Sequence, residues 1–367
     1  MNGITWAVVG IDAGGTRTRA RCADVATGRV LGEGEGGPGN PLSVPADELV
    51  RHLSEALRGA VPPGFGAAVG AVVGGFAGGG PGGGKERAEA ALRAALAELG
   101  AAPARVEVRG DAEVAFASGP GTPADGLVLI AGTGAVGARV TDRRMVSAAD
   151  GDGWLLGDAG SGFWLGREAL RAVLRSLDGR GPATSLAGPV AALCGGLTKE
   201  RVIGYAYAAH PVRLAGLSPL VVDAASAGDT VASGLLDRAA DELTATVRAL
   251  LPRPGEPLVV TGGLLGSVWS SSAGEGAASG AVGSKAEEGA MAEPSRLTTT
   301  PEAAVPGVAT PRGNSRQTPG PGGPLLDRLS VRVAALGLVP APVRDGLAGA
   351  VALARLADPG GGAAMHS

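Results

Sequence analysis

AVVGIDAGGTRTRARCADV, residues 7–25, joins a short apolar run to an alternating run through a glycine turn. GLVLIAGTGAVGARVTD, residues 126–142, has the same layout further along the chain. Apolar runs of this length are typical of buried strands, and glycines allow backbone N–H groups to approach an anion closely. The two segments therefore predict two β-hairpins whose turns bind phosphate.

The second turn, GTGAVG at residues 132–137, also fits the dinucleotide pattern G-x-G-x-x-G. That pattern requires a helix directly after it, because the helix N-terminus binds the pyrophosphate. Here ARVTDRRMVSA follows, which indicates two short strands. The context therefore excludes a dinucleotide-binding fold, and two phosphate-binding hairpins are the better interpretation.

Length and composition indicate a globular protein of about two domains, at roughly 150 residues per domain. The chain has 367 residues, 45% of them hydrophobic, and a net charge of −3. Arginine is scattered without basic blocks, which argues against nucleic-acid binding. No apolar run reaches the roughly 18 residues of a membrane span, and no signal peptide is recognisable. We expect a cytoplasmic protein.

The chain has two cysteines, Cys22 and Cys194, and neither a C-x-x-C motif nor a nearby histidine pair accompanies them. This pattern supports neither a zinc site nor a disulfide framework. We expect two buried thiols in a reducing compartment. The sequence leaves open whether the chain forms a homodimer.

Periodicity predicts three antiparallel strands, then helix, strand, helix and strand. That is the order of an actin-like ATPase lobe, and it repeats after a hinge near residues 110–125. The predicted fold class is α/β, with two ribonuclease-H-like lobes around a central cleft. The predicted ranges are 1–115 for the first lobe, 116–342 for the second, 267–320 for a disordered low-complexity insertion, and 343–358 for a last helix packing back on the first lobe.

Asp12 ends the first predicted strand, where a carboxylate can hold Mg²⁺ while Gly14, Gly15 and Thr16 offer donors to phosphate oxygens. In the second turn, Thr133 would add a hydroxyl between Gly132 and Gly134. An ordinary hairpin turn is the alternative interpretation of each segment. The presence of both favours phosphate binding.

Asp111 follows a predicted strand about 20 residues before the second turn. Phosphoryl transfer needs positioning, charge neutralisation and one group that accepts the proton of the attacking hydroxyl. Asp111 is the candidate base, and a helix N-cap is its alternative role. The segment DGDGWLLGDAGS, residues 150–161, adds Asp158 and Ser161 as polar contacts or caps. Its Trp154 offers a flat apolar face to a sugar ring, or else packs in the core.

These segments together resemble the BadF/BadG/BcrA/BcrD ATPase family, and within it the N-acetylglucosamine kinases of the sugar kinase, Hsp70 and actin superfamily. The resemblance covers most of the chain outside the insertion. It is carried by IDAGGTRT (11–18), GGPGN (36–40), VGGFAG (73–78), GDAEVAFAS (110–118), IAGTGAV (130–136), GWLLGDAGSGFWLGREA (153–169) and VTGGLLG (260–266).

The resemblance implies an ATP- and Mg²⁺-dependent kinase acting on the 6-hydroxyl of an amino sugar, with Asp111 as base. It places the two glycine turns on the phosphates and Gly216, Gly262 and Gly263 beside adenosine. The implied sugar-binding residues are Asn40, Gly75, Asp111, Ala135, Gly153, Trp154 and Asp158.

Departures from the family pattern at Asp150, Asp152 and Ala159 leave the preferred hexosamine open. Two other functions stay in play, an ATPase activase with an iron–sulfur cluster and a non-catalytic sugar sensor. The isolated cysteines disfavour the activase. No DNA-binding module precedes Trp6, which disfavours the sensor.

Overall fold

A computed structural model describes residues 6–80, 83–265 and 323–357. The predicted insertion at 267–320 lies outside these ranges. None of the helices within them combines the length and hydropathy needed to span a membrane.

The first sheet has five strands in the order β3-β2-β1-β4-β5. Strands β1, β2 and β3 are antiparallel, whereas β4 and β5 run parallel to β1. The predicted succession of elements is confirmed. The elements are β1 (Ala7–Ala13), β2 (Thr18–Asp24), β3 (Val30–Gly36), α1 (Ala46–Ala60), a 3₁₀ turn (Gly66–Ala68), β4 (Val69–Phe76), α2 (Gly84–Glu98) and β5 (Arg105–Gly110).

The second sheet has the order β10-β9-β6-β7-β8, and β7 and β8 are the two strands predicted after the second turn. Two mixed sheets with flanking helices confirm the predicted α/β class. The elements are α3 (Asp111–Ala117), β6 (Gly126–Ala131), β7 (Ala135–Thr141), β8 (Arg144–Asp150), α4 (Gly153–Leu156), α5 (Gly162–Leu177), α6 (Ala187–Cys194), α7 (Lys199–Tyr207), a 3₁₀ helix (Pro211–Leu217), α8 (Ser218–Ser226), α9 (Thr230–Ala249), β9 (Leu258–Thr261), α10 (Gly323–Ala334), β10 (Pro340–Pro342) and α11 (Leu347–Ala357).

Helix α3 packs against both sheets. On one face Val114 is buried with Val8 and Val73 of the first sheet. On the other face Phe116 is buried with Val128 and Val259 of the second sheet. A helix held on two sides is a rigid support, so its first residue has a fixed position between the two halves of the protein.

The last helix begins at Leu347, four residues later than the sequence predicts. Val343 donates its N–H to Val260 O at 2.9 Å, so the chain at this point still follows the edge of the second sheet. Helix α11 then packs on the first sheet, where Ala350 and Val351 are buried together with Val8. Residues 343–346 are therefore a crossing from one sheet to the other.

Candidate active site

Asp12 lies near the carboxyl end of β1, and Asp111 follows the carboxyl end of β5; both strands run parallel to β4, which lies between them. Asp12 is in register with Gly75 of β4, and Gly75 is in register with Arg109 of β5. Asp111 is the first residue of α3, two positions beyond Arg109. Because parallel strands end at the same edge of a sheet, both carboxylates lie at one edge.

The carboxyl group of Asp111 is partly shielded from solvent. Burial, together with the negative charge of Asp12, raises the pKa of Asp111 to about 6. Asp111 Oδ1 accepts the N–H of Ala112 at 2.9 Å. A carboxylate with this pKa can accept a proton at neutral pH, which suits a general base.

The alternative that Asp111 is an N-cap is wrong, because Gly110 holds that position. The side chain of Glu113, and not that of Asp111, accepts the backbone N–H group just before the start of α3. Its carboxylate accepts the N–H of Gly110 at 3.2 Å and the N–H of Met145 in β8 at 3.0 Å. Glu113 is not among the predicted site residues, although a glutamate three positions after a cap is one half of the capping-box pattern.

Asp12 belongs to a charged network that the sequence analysis also missed. Arg19 donates to Asp12 Oδ2 at 2.9 Å and to Asp345 Oδ2 at 2.6 Å, and Gly346 N–H donates to Asp12 Oδ2 at 3.3 Å. Burial raises the pKa of Asp12 despite the opposing effect of Arg19. The Oδ1 atom of Asp12 accepts no hydrogen bond from another described residue.

The first glycine turn is a hairpin. Ala13 pairs with Thr18, which leaves residues 14–17 in the turn. Gly14 N–H donates to Arg17 O, and Gly14 O accepts the N–H of Gly39, both at 2.9 Å. Gly15 and Thr16 are exposed, so their polar groups are accessible to a ligand.

The second turn is a tighter hairpin that contacts the start of α5. Ala131 pairs with Ala135, which leaves Gly132, Thr133 and Gly134 in the turn. Gly132 O accepts the N–H of Gly162 at 2.8 Å, and Thr133 O accepts the N–H of Phe163 at 3.1 Å. The side chain of Thr133 is exposed.

The remaining predicted nucleotide-binding glycines lie around this second turn. Gly262 has φ +102° and lies so close to Ala131 O that a Cβ there would overlap it. A residue with a side chain is excluded at this position for both reasons. Gly162 packs on Ala215 and Ser218, which flank Gly216 and Leu217. The structure thus brings the turn, Gly216, Gly262 and Gly263 together.

The segment after β8 is held by two aspartates. Asp150 accepts the N–H groups of Gly151 and Asp158, each at 2.7 Å, and that of Ala159 at 2.8 Å. Asp158 Oδ1 accepts the N–H of Ala135 at 3.0 Å. Burial and the charges of Asp150 and Asp152 raise the pKa of Asp158. Ser161 caps α5 by accepting the N–H of Trp164 at 3.1 Å.

The predicted sugar-binding residues have different surroundings. Asn40 Oδ1 accepts the N–H of Leu42 at 2.8 Å. Gly75 lies under Val114 of α3, and a Cβ at this position would overlap the valine side chain. Packing therefore explains this glycine without a ligand.

Trp154 contacts aromatic neighbours of the second half of the chain. Its ring meets Phe163 edge-on at 5.7 Å and His210 at 6.1 Å between centroids. It lines an apolar cavity of about 570 Å³ between α5 and α7. Gly153, beside it, begins the short helix α4 with φ +82°.

The chain is similar in sequence to a known family and to kinases of two organisms. The model of the BadF/BadG/BcrA/BcrD ATPase family matches residues 9–273. An N-acetylmuramic acid/N-acetylglucosamine kinase of Clostridium acetobutylicum is 30% identical over 248 residues, 66% of this chain and 79% of its own length. An N-acetyl-D-glucosamine kinase of Dictyostelium discoideum is 33% identical over 165 residues, 42% of this chain and 52% of its own length.

A solved structure supports the fold. The candidate N-acetylglucosamine kinase of Porphyromonas gingivalis superposes with a TM-score of 0.64 at 21% identity, over 96% of this chain and 99% of that one. This similarity confirms the actin-like architecture of two mixed sheets with flanking helices. Because the family model matches more than half of the sequence, the chain belongs to the BadF/BadG/BcrA/BcrD ATPase family.

Proposed function

We propose that this protein is a sugar kinase that transfers the γ-phosphoryl group of ATP to the 6-hydroxyl of an amino sugar, with N-acetylglucosamine as the first candidate. The observation that carries the proposal is the position of Asp111. Its carboxylate begins a helix fixed between two sheets, lies next to Asp12, and has a pKa of about 6.

The nucleotide would be bound by the two glycine turns. Gly14, Gly15 and Thr16 would donate to its phosphates from the first turn, and Gly132, Thr133 and Gly134 from the second. Adenosine would lie beside Gly216, Gly262 and Gly263, which the fold gathers at the second turn. Membership of an ATPase family supports ATP as the phosphoryl donor.

Asp12 fits a magnesium site. Its Oδ1 atom accepts no hydrogen bond from the described residues, so this oxygen is available to a cation. Mg²⁺ is usually bound through one or two carboxylates plus substrate phosphates. When bound, Mg²⁺ would neutralise charge on the phosphates.

Asp111 would act as the general base. The sugar hydroxyl loses its proton to the carboxylate of Asp111 while its oxygen bonds to the γ-phosphorus. The bond from that phosphorus to the bridging oxygen breaks, and ADP leaves. Positioning and charge stabilisation supply most of the rate enhancement in phosphoryl transfer, so the fixed start of α3 matters as much as basicity.

The amino sugar is supported by the names of the two relatives, both of which are kinases of N-acetylglucosamine. Asn40 and Asp158 are the polar side chains that would hold its hydroxyl or amide groups. Asn40 retains its side-chain NH₂ group as a donor, because the hydrogen bond to Leu42 uses only its oxygen. Gly75, Ala135, Gly153 and Trp154 stay predictions as pocket-lining residues.

The activase alternative requires cysteines that share one cluster. Cys22 is buried in the core of the first sheet, whereas Cys194 packs against the core of the second. Burial raises the pKa of Cys22 to about 11, which keeps it a protonated thiol. The described residues therefore fit a sugar kinase better than an activase.

An assay of ADP production tests the proposal. The full chain is incubated with ATP and Mg²⁺, with and without N-acetylglucosamine, glucosamine, N-acetylmannosamine, N-acetylmuramic acid or glucose. The kinase predicts ADP release that depends on one of the amino sugars. ADP release at the same rate with and without every sugar would indicate an ATPase. Sugar binding without ADP release would indicate a sensor.

A further inference from the structure

Four arginines line a groove in the second half of the chain, between α5 and the N-terminal half of α9. The groove has a volume of about 500 Å³. Glu168 is the sole acidic side chain among the residues that line it. The arginines are Arg171, Arg175, Arg180 and Arg238.

The acidic side chains nearby do not balance this positive charge. Glu168, which is only 8% exposed, accepts from Arg171 at 3.0 Å and from Arg238 at 3.3 Å. Asp178 accepts from both Arg180 and Lys199, so it too is shared between two cations. Arg167 also forms an ion pair with Glu168, at 3.4 Å. Each carboxylate carries one negative charge and therefore balances one of the two or three cations around it.

Arg175 has no ion pair or side-chain hydrogen bond within the described ranges, yet its position is defined. Arg180 N–H donates to Arg175 O at 2.8 Å, which turns the chain back after α5. Gly181 consequently lies against the aliphatic part of Arg175. Arg175 is exposed and lines the groove, so its unpaired guanidinium is available to an anion.

A further feature favours an anion. The guanidinium of Arg238 lies over the ring of Trp164, 5.4 Å from its centroid, and is thereby oriented. Thr230 and Val231, the first residues of α9, line the same groove. The start of α9 is already capped by Asp229, which accepts from Ala232 N–H at 2.8 Å and, through its other oxygen, from Thr184 and Ser185. The arginines, and not this helix end, therefore supply the positive charge of the groove.

We propose that this groove binds a small molecule that carries a multiply charged phosphate group. Guanidinium groups match phosphate oxygens with paired hydrogen bonds, and a groove of this size suits a small ligand. The site is separate from the glycine turns, because Arg175 lies 13 residues along α5 from Gly162, about 20 Å at 1.5 Å per residue. The proposal rests on the arginines and is independent of the proposed function.

Calorimetric titration with inorganic tripolyphosphate tests this site. The full chain is first saturated with ADP, so that the glycine turns are filled. We expect one tripolyphosphate per chain to bind, and the double variant R175Q/R238Q to bind at least about tenfold more weakly, since two charge-assisted contacts are lost. ADP affinity should not change.

The matched control is R51Q/R93Q, which also removes two positive charges. Arg51 and Arg93 form exposed ion pairs with Glu55 and Glu89 on α1 and α2. Thermal unfolding confirms that each variant is folded. Equal weakening by both double variants, or no tripolyphosphate binding beside ADP, would overturn the proposal.

Further titrations identify the source of the phosphate. Pyrophosphate and glucosamine 6-phosphate separate an inorganic ligand from a sugar phosphate. Tight binding of a single-stranded oligonucleotide that depends on Arg175 and Arg238 would assign the groove to nucleic acid and refute the small-molecule proposal. If ADP itself does not bind, the proposed kinase fails, and titration without ADP still compares the two double variants.

Discussion

Arg19 and Asp345 form an ion pair of 2.6 Å although 326 positions separate them in the chain. The same guanidinium holds Asp12 at 2.9 Å. Since Asp345 lies in the crossing between the two sheets, this arginine connects the candidate metal-binding carboxylate, Asp12, to the segment that joins the halves of the protein.

Replacing Arg19 by methionine should destabilise the protein by about 3 kcal/mol, because Asp12 and Asp345 would remain as buried carboxylates without their cation. Urea unfolding measures this loss. The control is Arg21→Gln on the same strand, whose partner Glu33 is 55% exposed. That pair should contribute less than about 1 kcal/mol. Similar losses in both variants would contradict the buried network.

The pH dependence of catalysis should follow the ionisation of Asp111. Because the general base must be deprotonated, kcat/KM should fall tenfold per pH unit below an apparent pKa of about 6. An Arg19→Lys variant keeps a cation near Asp12 and should show the same fall of kcat/KM at low pH. A profile that is flat down to pH 5 would exclude Asp111 as the base.

Asp111→Asn should abolish sugar phosphorylation and still raise stability at neutral pH. The pKa of Asp111 is higher in the folded chain than its ordinary value of 3.8, so native stability falls as pH rises from about 4 to about 6. A neutral amide avoids this loss, which amounts to at most about 3 kcal/mol. Thermal unfolding at pH 7.5 and at pH 4 should show a gain only at the higher pH, while calorimetry should show that ADP binding is retained.

Asp150 should act through the backbone of its loop rather than through the sugar. Asp150→Ala leaves three N–H groups without their acceptor and should cost about 2 kcal/mol in unfolding free energy. Asp152→Ala is the matched control, because Asp152 is exposed and its carboxylate accepts no hydrogen bond from another described residue. We expect no loss of stability there. The reverse order of effects would refute this role.

Local sequence predicts most of the fold. Periodicity predicts a strand at 5–12 and helices at 46–59 and 161–177. The observed β1 (Ala7–Ala13), α1 (Ala46–Ala60) and α5 (Gly162–Leu177) differ from these bounds by at most two residues, because their buried positions follow the period of each element. The C-terminal segment is harder to predict from local sequence. The crossing at 343–346 depends on hydrogen bonds to Val260 and Asp12, which no local pattern encodes.

Contacts in the candidate site can be predicted from sequence where both residues lie in the same hairpin. Asp12 faces Arg19 directly in the β1–β2 register, so the hairpin alone could have revealed that pair. Asp345 could not have been found in this way, because its approach depends on tertiary packing. Gly75, predicted to line the sugar pocket, also has a packing role under Val114, which the motif alone does not reveal.

A double-mutant cycle separates the two interpretations of Gly75. Gly75→Ala should cost about 2 kcal/mol in unfolding free energy, because the new methyl group overlaps Val114. In a Val114→Ala background, where the overlapped methyl groups are gone, the same substitution should cost less than about 1 kcal/mol, which gives a coupling energy of at least about 1 kcal/mol. A sugar-lining role predicts instead that Gly75→Ala raises KM for the sugar equally in both backgrounds and leaves stability unchanged. Unfolding and sugar titration on the same four proteins therefore decide between packing and substrate contact.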